Sequence, residues 1–514
     1  MLSTALMRAK QTERQLEDKY RKITQKEEIL SEDGQKIIPR YFGLKSKHNT
    51  NYLRYINEDD DRVGGFLHFS GQRMISPYTK FEVEHSNLGK GYVHVRCCFN
   101  NKYWVRESSK SNYIVAAANE AHDDLSKWSC TLLEPIYDDH QKAYRFRHVQ
   151  LDAIVYLSHS NDQYNDCLVA KAKRNVSVIP IIVNVQAKAD DDIYALSTIV
   201  DWDSIFILPK HVAFKGDNGQ YLSFSSPYLK FSSSSITDSS VVQEIFPTKD
   251  GNIRIKNDES GRFWYRDPNW IWATSTNGKS NNPNNLFWPA KIDDETLALR
   301  NLGNNHFCVR LSVEGKTDCL NSAGVRITDE ALLKAAEAVI SKTIDNVEYR
   351  LNDARIYGQK VVSMAKGDAV NKTKETDTVT FKFTYEEKKK KNWSSSVSSK
   401  IGVSVSSKFQ VGIPHVGEGK IEVLAEMGAE YEWGVTHKDK NVREFTYPVT
   451  VPPMSRVKIN AVIKQGICQV PFSYRRTDVL RTGRQVVHHL NDGLFTGVNS
   501  YDFEFKSETA AIAS

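Results

Sequence analysis

WSSSVSSKIGVSVSSKFQVGIPHVGEGKIEVLAEMGAEYEWG, residues 393–434, is the stretch whose reading decides the fold. Val397, Ile401, Val403, Val405, Phe409, Val411 and Ile413 fall on one parity. Ser398, Lys400, Gly402, Ser404, Ser406, Lys408, Gln410 and Gly412 fall on the other, and Ser399 and Ser407 interrupt the apolar side. A strand sends successive side chains to opposite faces, so this is an extended arm with one oily face. Pro414 is read as ending the arm, because its ring removes a ladder donor. After Gly417 and Gly419 the alternation resumes, with Ile421, Val423, Ala425, Met427, Ala429, Tyr431 and Trp433 against Glu422, Glu426, Glu430 and Glu432. Two alternating arms around a Pro/Gly turn predict a long hairpin. Both arms reach the ~9–11 residues with which a tilted strand crosses a bilayer. The same alternation also suits a hairpin lying on a soluble core.

At 514 residues the chain is too long for one core and is read as several domains. Aromatics make up 11% of it, which suits a β-rich core and also the interfaces where Trp and Tyr recur. The formal net charge of +6 suits an anionic membrane surface and, with no concentrated basic domain, gives no reason to expect nucleic acid. No apolar run is long enough for a membrane helix. The N-terminus lacks an apolar core and a cleavage site, so no signal peptide is read there and a cytoplasmic protein is expected. The seven cysteines are odd in number, Cys97 and Cys98 are adjacent, and no Cys/His spacing implies a metal, so reduced thiols are expected. Gly-x-Ser-x-Gly, His-Glu-x-x-His, Walker and dinucleotide fingerprints are missing, so the chain is read as no enzyme, with no cofactor.

Residues 1–36 read as an amphipathic helix, with Leu2, Leu6, Ala9, Leu16, Tyr20, Ile23 and Leu30 on a seam of alternating four- and three-residue spacings that Glu13 and Glu27 interrupt, and Gly34 as its stop. From Ile37 the texture turns to short strands that repeat. A turn residue followed by an aromatic and an apolar residue recurs as Asn51-Tyr52-Leu53 and Asn101-Lys102-Tyr103-Trp104, with a weaker echo at Val155-Tyr156-Leu157, about fifty residues apart. It returns at Gly219-Gln220-Tyr221-Leu222, Gly261-Arg262-Phe263-Trp264 and Asp318-Cys319-Leu320. Longer blocks match too, such as Tyr103-Trp104-Val105-Arg106 with Phe263-Trp264-Tyr265-Arg266. A domain of three internal repeats therefore occurs twice, which predicts two β-trefoils; two β-sandwiches would not require a threefold echo. Residues 187–208 read as a linker with a short helix. After Thr328, the spacing of Ala331, Leu332, Ala335, Ala336, Val339 and Ile340 predicts a brief helix into a third domain of long strands.

Gly43-Leu44-Lys45-Ser46, Tyr52-Leu53-Arg54-Tyr55, Phe81-Glu82-Val83-Glu84, Ala118-Asn119-Glu120 and Trp128-Ser129-Cys130-Thr131-Leu132 resemble the first domain of amaranthin-type agglutinins. Asp201-Trp202-Asp203-Ser204-Ile205-Phe206, Phe214-Lys215-Gly216 and Asn218-Gly219 resemble the second. Within residues 393–434, Gly412-Ile413-Pro414, Gly417-Glu418-Gly419 and Glu430-Tyr431-Glu432-Trp433-Gly434 are similar to the insertion-hairpin region of aerolysin-type β-pore-forming proteins. The resemblance implies a mainly β chain. Its expected parts are a trefoil over 37–186, a second over 209–328 and an elongated antiparallel aerolysin-like domain over 329–514. It also implies binding of GalNAc-containing glycans of the T-antigen type, a head-to-tail homodimer through the trefoils, and plant defence. Pores would form by higher homo-oligomerisation among membrane lipids, the protein being membrane-associated when active. The alternative is a non-lytic cytosolic stress lectin whose third domain only mediates oligomerisation.

Sugar recognition needs an aromatic face for the ring and amides or charges for its hydroxyls. Lys110, Ser111, Asn112 and Tyr113 offer these in the loop after the Tyr103-Trp104 strand, at the place of the family's sugar-contacting loop, although that loop is richer in aromatics. Asn269 and Trp270 are the echo in the second trefoil. For the insertion hairpin the membrane-facing candidates are Val397, Ile401, Val403, Val405, Phe409, Val411, Ile413, Ile421, Val423 and Met427. Lys388 to Lys391, with Lys382 upstream, form a basic run beside Trp393 that suits anionic headgroups and equally a hydrated loop.

Overall fold

The computed structural model describes residues 37–57, 63–172, 193–397, 407–417, 420–425, 429–481 and 483–512. The expected N-terminal helix, and Ile401, Val403, Val405 and Met427 of the hairpin, lie outside the described residues. The described chain divides into two compact units, the first running through Ser341 and the second holding most of the chain beyond it.

The first unit contains two separate twelve-stranded antiparallel sheets, each a β-trefoil. In the first, three strands from successive repeats meet as a triplet: Leu67–Gly71, Ser111–Ala118 and Leu168–Ala172, joined at Phe66↔Val115, Val169↔Tyr113 and His68↔Cys167. In the second, Tyr228–Ser233, Trp270–Ser275 and Cys319–Gly324 do the same through Tyr228↔Trp272, Trp270↔Asn321 and Lys230↔Cys319. The repeats seen in the sequence are therefore repeats of position, and each set closes on itself so that few strand edges stay open.

Two expectations are corrected by how each barrel closes. Ser197–Asp201, read as linker, is a strand that pairs with Tyr41–Ser46 from Phe42↔Asp201 to Ser46↔Ser197. Leu333–Glu337, read as helix, pairs with His211–Lys215 from Val212↔Glu337 to Lys215↔Lys334, and only Asp329–Ala331 ahead of it is a single helical turn of the 3-10 type. The alanines of the second segment satisfy either period. The open edge of the barrel's first strand decides between them, since its backbone groups need partners.

The matched Trp-x-Arg blocks occupy equivalent strands, Tyr103–Ser108 and Arg262–Asp267. Trp104 and Trp264 are buried at the centres of the two cores. Trp104 lies edge-on to Phe81 at 5.2 Å and Trp264 edge-on to Phe287 at 5.7 Å, the geometry that aromatic quadrupoles favour. Gln243 accepts a hydrogen bond from the Trp264 indole at 3.0 Å. All seven cysteines are free thiols, and burial pushes Cys97 and Cys308 up to about 12, so neither is a nucleophile at neutral pH.

The trefoils touch at the turn around Asp250 and in a small apolar cluster in which Trp288 packs with Tyr52 and Met74. Asp250 takes the Lys45 ammonium at 2.7 Å and the Tyr52 hydroxyl at 3.0 Å, and the Lys249 carbonyl accepts from the Met74 amide at 3.0 Å. Gly251 has φ +79° there, and a Cβ at that position would run into the Met74 methyl. The Asn51-Tyr52 lobe of the first trefoil is thus covered by the second.

The second unit is built from long strands: Arg355–Asn371, Asp377–Ser395, His437–Val451, Ser455–Val479 and Gln485–Ala511. With Ser341–Tyr349 they form a six-stranded sheet. The last is 27 residues long, which at ~3.3 Å per residue is on the order of 90 Å. These are the long antiparallel strands expected of an aerolysin-like domain. Trp264→Ala is expected to lower the stability of the second trefoil by roughly 3–5 kcal/mol, because it empties the centre of the core. Thermal denaturation followed by tryptophan fluorescence checks this, and an unchanged midpoint would refute the assignment.

Candidate functional site

The four residues expected to touch sugar in the first trefoil sit on the hairpin between strands Tyr103–Ser108 and Ser111–Ala118. Lys110 and Asn112 are exposed, and Ser111 and Tyr113 are half-buried. Tyr113 is not a free platform: it stacks on Tyr164 at 4.8 Å and meets Phe66 at 5.9 Å, inside the strand triplet. In the second trefoil Asn269 is exposed, while Trp270 is buried to 4% exposure and donates its indole N–H to Glu314 at 3.0 Å. Trp270 is therefore a core aromatic, capped at its polar edge by a carboxylate.

What organises both hairpin loops is an arginine that was not among the expected sugar-site residues. The Arg106 guanidinium donates to the carbonyls of Ser109 and Ser111, both at 3.1 Å, and reaches Gln150 of the third repeat at 3.4 Å. Arg266 does the equivalent work. It donates to Pro268 O, to Asn284 Oδ1 at 2.7 Å and to Asn301 Oδ1 at 3.1 Å, and approaches Asn269 at 3.3 Å. Asn304 then donates to Asn269 Oδ1 at 3.2 Å and to the Ser322 carbonyl at 2.6 Å. An amide-rich cluster of Arg266, Asn269, Asn284, Asn301 and Asn304 results, and it places fixed donors and acceptors at an exposed loop. The signal was present in the sequence, since both arginines stand two residues after the matched tryptophans.

His148 lies beside Arg106. Its Nδ1 accepts from the Leu151 amide at 3.4 Å, and burial, reinforced by the Arg106 charge, pulls its pKa down to about 4. It is a neutral imidazole at neutral pH.

The long hairpin expected over 393–434 is present, with a broken ladder among the described residues. Lys408–Phe409 pairs with Tyr431–Glu432, and Ile413–Gly417 pairs with Lys420–Leu424. Phe409 faces Tyr431, whereas Ile413 faces Leu424, so three residues of one arm span what six span on the other. Pro414 does not end the strand. It pairs with Val423 within a two-stranded sheet, where a missing N–H on the open side loses nothing. The buried face changes parity there: Phe409 and Ile413 are buried before it, and Val416 after it.

That face is stowed. Phe409, Ile413, Val416 and Tyr431 join Trp393, Phe472, Tyr474, Phe495 and Tyr501 in one core, with Val411, Ile421, Ala429 and Trp433 packed at its margin. Val397 is half-buried and Val423 is 40% exposed. Side chains hold the hairpin down. Tyr349 donates to the Gly412 carbonyl at 2.9 Å and accepts from the Trp393 indole at 2.7 Å, and burial pushes its phenol pKa up, keeping it protonated. Asn499 commits its whole amide to one residue, donating to Val416 O at 2.9 Å and accepting from Val416 N at 3.4 Å. The two ladders of the hairpin form two-stranded sheets of their own, apart from the six-stranded sheet. At the hairpin's base one backbone bond, Gly434 N–H to the Trp393 carbonyl at 2.8 Å, joins it to the six-stranded sheet.

Fold and site together define a lectin-type pair of β-trefoils joined to an aerolysin-like unit. The agglutinin domain matches residues 36–178 and again 206–337, more than half of the chain, and the chain belongs to that family. No curated protein matches. Among solved structures, the lamprey immune protein is 13% identical with a TM-score of 0.29, over 60% of this chain and 93% of that one. An aerolysin-like protein from Bombina maxima is 12% identical with a TM-score of 0.23, over 33% and 99%. Parasporin-2, a Bacillus thuringiensis toxin that recognizes cancer cells, is 19% identical with a TM-score of 0.20, over 33% and 74%.

Asn499→Ala removes both ties to Val416 and is expected to lower the opening free energy of the hairpin by about 1–3 kcal/mol. Native-state hydrogen exchange at the Val416 amide reads this directly, and unchanged protection would show that the tie does not hold the hairpin. The histidine gives a second expectation. The unfolded chain takes up a proton near the ordinary histidine value of ~6.5, whereas the fold resists until about 4. Stability of the first trefoil is accordingly full above that window and lost through it as pH falls, by on the order of 3 kcal/mol. His148→Gln should flatten this slope in denaturant titrations; an equal slope would rule the histidine out.

Proposed function

We propose that this protein is a non-enzymatic chimerolectin that uses its trefoils to concentrate on GalNAc-bearing, T-antigen-type glycans and its third unit to form β-barrel pores. The observation that carries the reading is the oily hairpin packed under aromatic side chains, with ladders separate from the main sheet, in a chain whose first two domains are agglutinin trefoils. Head-to-tail pairing of the trefoils makes sugar contact multivalent, which raises the local concentration for assembly among membrane lipids. The hairpins then leave their cores and close into a barrel, which satisfies every backbone group in lipid. A cytoplasmic pool released against intruding cells is the setting this proposal implies, with defence as the role.

Release costs the burial of several large apolar side chains, each ~1.5–3 kcal/mol, which the barrel's lipid contact and new ladders must offset. Dye release from vesicles with and without a GalNAc-bearing glycolipid is the direct test. Release that depends on the glycolipid is expected. Val403→Asp or Val405→Asp is expected to abolish release while sparing glycan binding, since a carboxylate on the lipid face is penalised in every subunit of the barrel, though less than a Lys or Arg would be. Glycan binding without release under any condition would leave a lectin whose third unit only oligomerises.

A further inference from the structure

The basic run Lys388-Lys389-Lys390-Lys391 is one block in sequence and two different objects in the fold. It lies in strand Asp377–Ser395, where odd residues face inward and even residues outward. On the inner face, Lys389 meets Glu387 at 3.6 Å and Lys391 meets Asp439 at 3.1 Å. Glu387, 1% exposed, also takes Arg443 at 3.0 Å. The inner half of the run is thus neutralised. On the outer face Lys388 stands directly opposite Lys440, and Lys390 directly opposite Lys438, with all four exposed. Like charges at opposed positions of an antiparallel pair repel. One carboxylate answers them, Glu386 at 3.3 Å from Lys440; among the described residues, Lys388, Lys390 and Lys438 have no anionic partner.

From this juxtaposition we infer that the exposed Lys388/Lys390/Lys438/Lys440 face of the third unit is a docking surface for anionic lipid headgroups. The face includes the sheet's edge strand His437–Val451 and carries Val442, 66% exposed, opposite Glu386, which suits a planar bilayer surface. It presents lysines, which are compact point charges, and no arginine: the nearby Arg443 turns to the other face. Planar forks and stacking aromatics, which nucleic-acid recognition uses, are absent from these opposed positions. Trp393, expected as an aromatic partner at the headgroups, is fully buried under the hairpin and takes no part. The inference rests on the preceding proposal only in bringing the third unit to a membrane.

The test is sedimentation of the whole protein with glycolipid-free vesicles, so that neither sugar binding nor pore opening enters. Phosphatidylcholine vesicles with about three parts in ten phosphatidylserine are compared with phosphatidylcholine alone; each lysine near such a surface is worth a factor of about five. The protein is expected to sediment with the anionic vesicles only, and less as salt rises. Lys388→Gln/Lys440→Gln is expected to weaken this by roughly 25-fold. Lys372→Gln/Lys374→Gln, which removes equal charge from the turn at the far end of the same strand, should change it little. Equal losses in the two double variants would mean that net charge alone acts, and would overturn the assignment. So would retention on heparin without binding to anionic vesicles, which would assign the face to a sulfated glycan.

Discussion

Trp393 is the contact on which the third unit turns. Its indole lies 4.4 Å from the Tyr431 ring, 5.7 Å from Phe409 and 4.9 Å from Phe495. Two of these rings belong to the hairpin and one to the longest strand of the sheet. Because it is completely buried, the hairpin cannot leave without exposing it. The hairpin's apolar face is covered by these aromatic side chains, as a half-buried strand face must be in water. The hairpin is held by this packing, by side-chain hydrogen bonds from Tyr349 and Asn499 and by one backbone bond from Gly434 to Trp393, while its ladders stay apart from the six-stranded sheet.

The trefoils solve a different problem with the same period. Short strands cannot bury enough apolar surface singly, and three repeats closed into a barrel can. Closure requires accurate placement of loops, which both copies achieve with an arginine that ties one repeat's hairpin to the next: Arg106 to Gln150, and Arg266 to Asn284 and Asn301. The polar groups at the exposed rim of the second trefoil are thereby held in fixed positions. The Asp250 turn in turn covers one lobe of the first trefoil, so the copies are not equivalent binding platforms despite their common plan.

Charge follows the same logic. Four consecutive lysines would repel as a block. In a strand they separate, one pair going to the buried Glu387 and the exposed Asp439 and one pair to solvent, where a second strand brings two more. A mild overall charge therefore conceals a local surface of marked basicity.

By itself the sequence determined the β character, the doubled threefold plan, the long strands and the amphipathic hairpin, because each is a matter of period along the chain. Trp104 and Trp264, Arg106 and Arg266 stand in register in the text and in space for that reason. Tertiary structure decided whatever depends on who is opposite. It made Leu333–Glu337 and Ser197–Asp201 closing strands, since the open edge of a barrel outweighs alanine's local preference. It kept Pro414 inside a strand, since its ring faces no ladder partner on the open side. It buried Trp270 and stacked Tyr113, two residues whose chemistry alone suits sugar. Alternation tells which side chains share a face; only the assembled strands tell what that face meets.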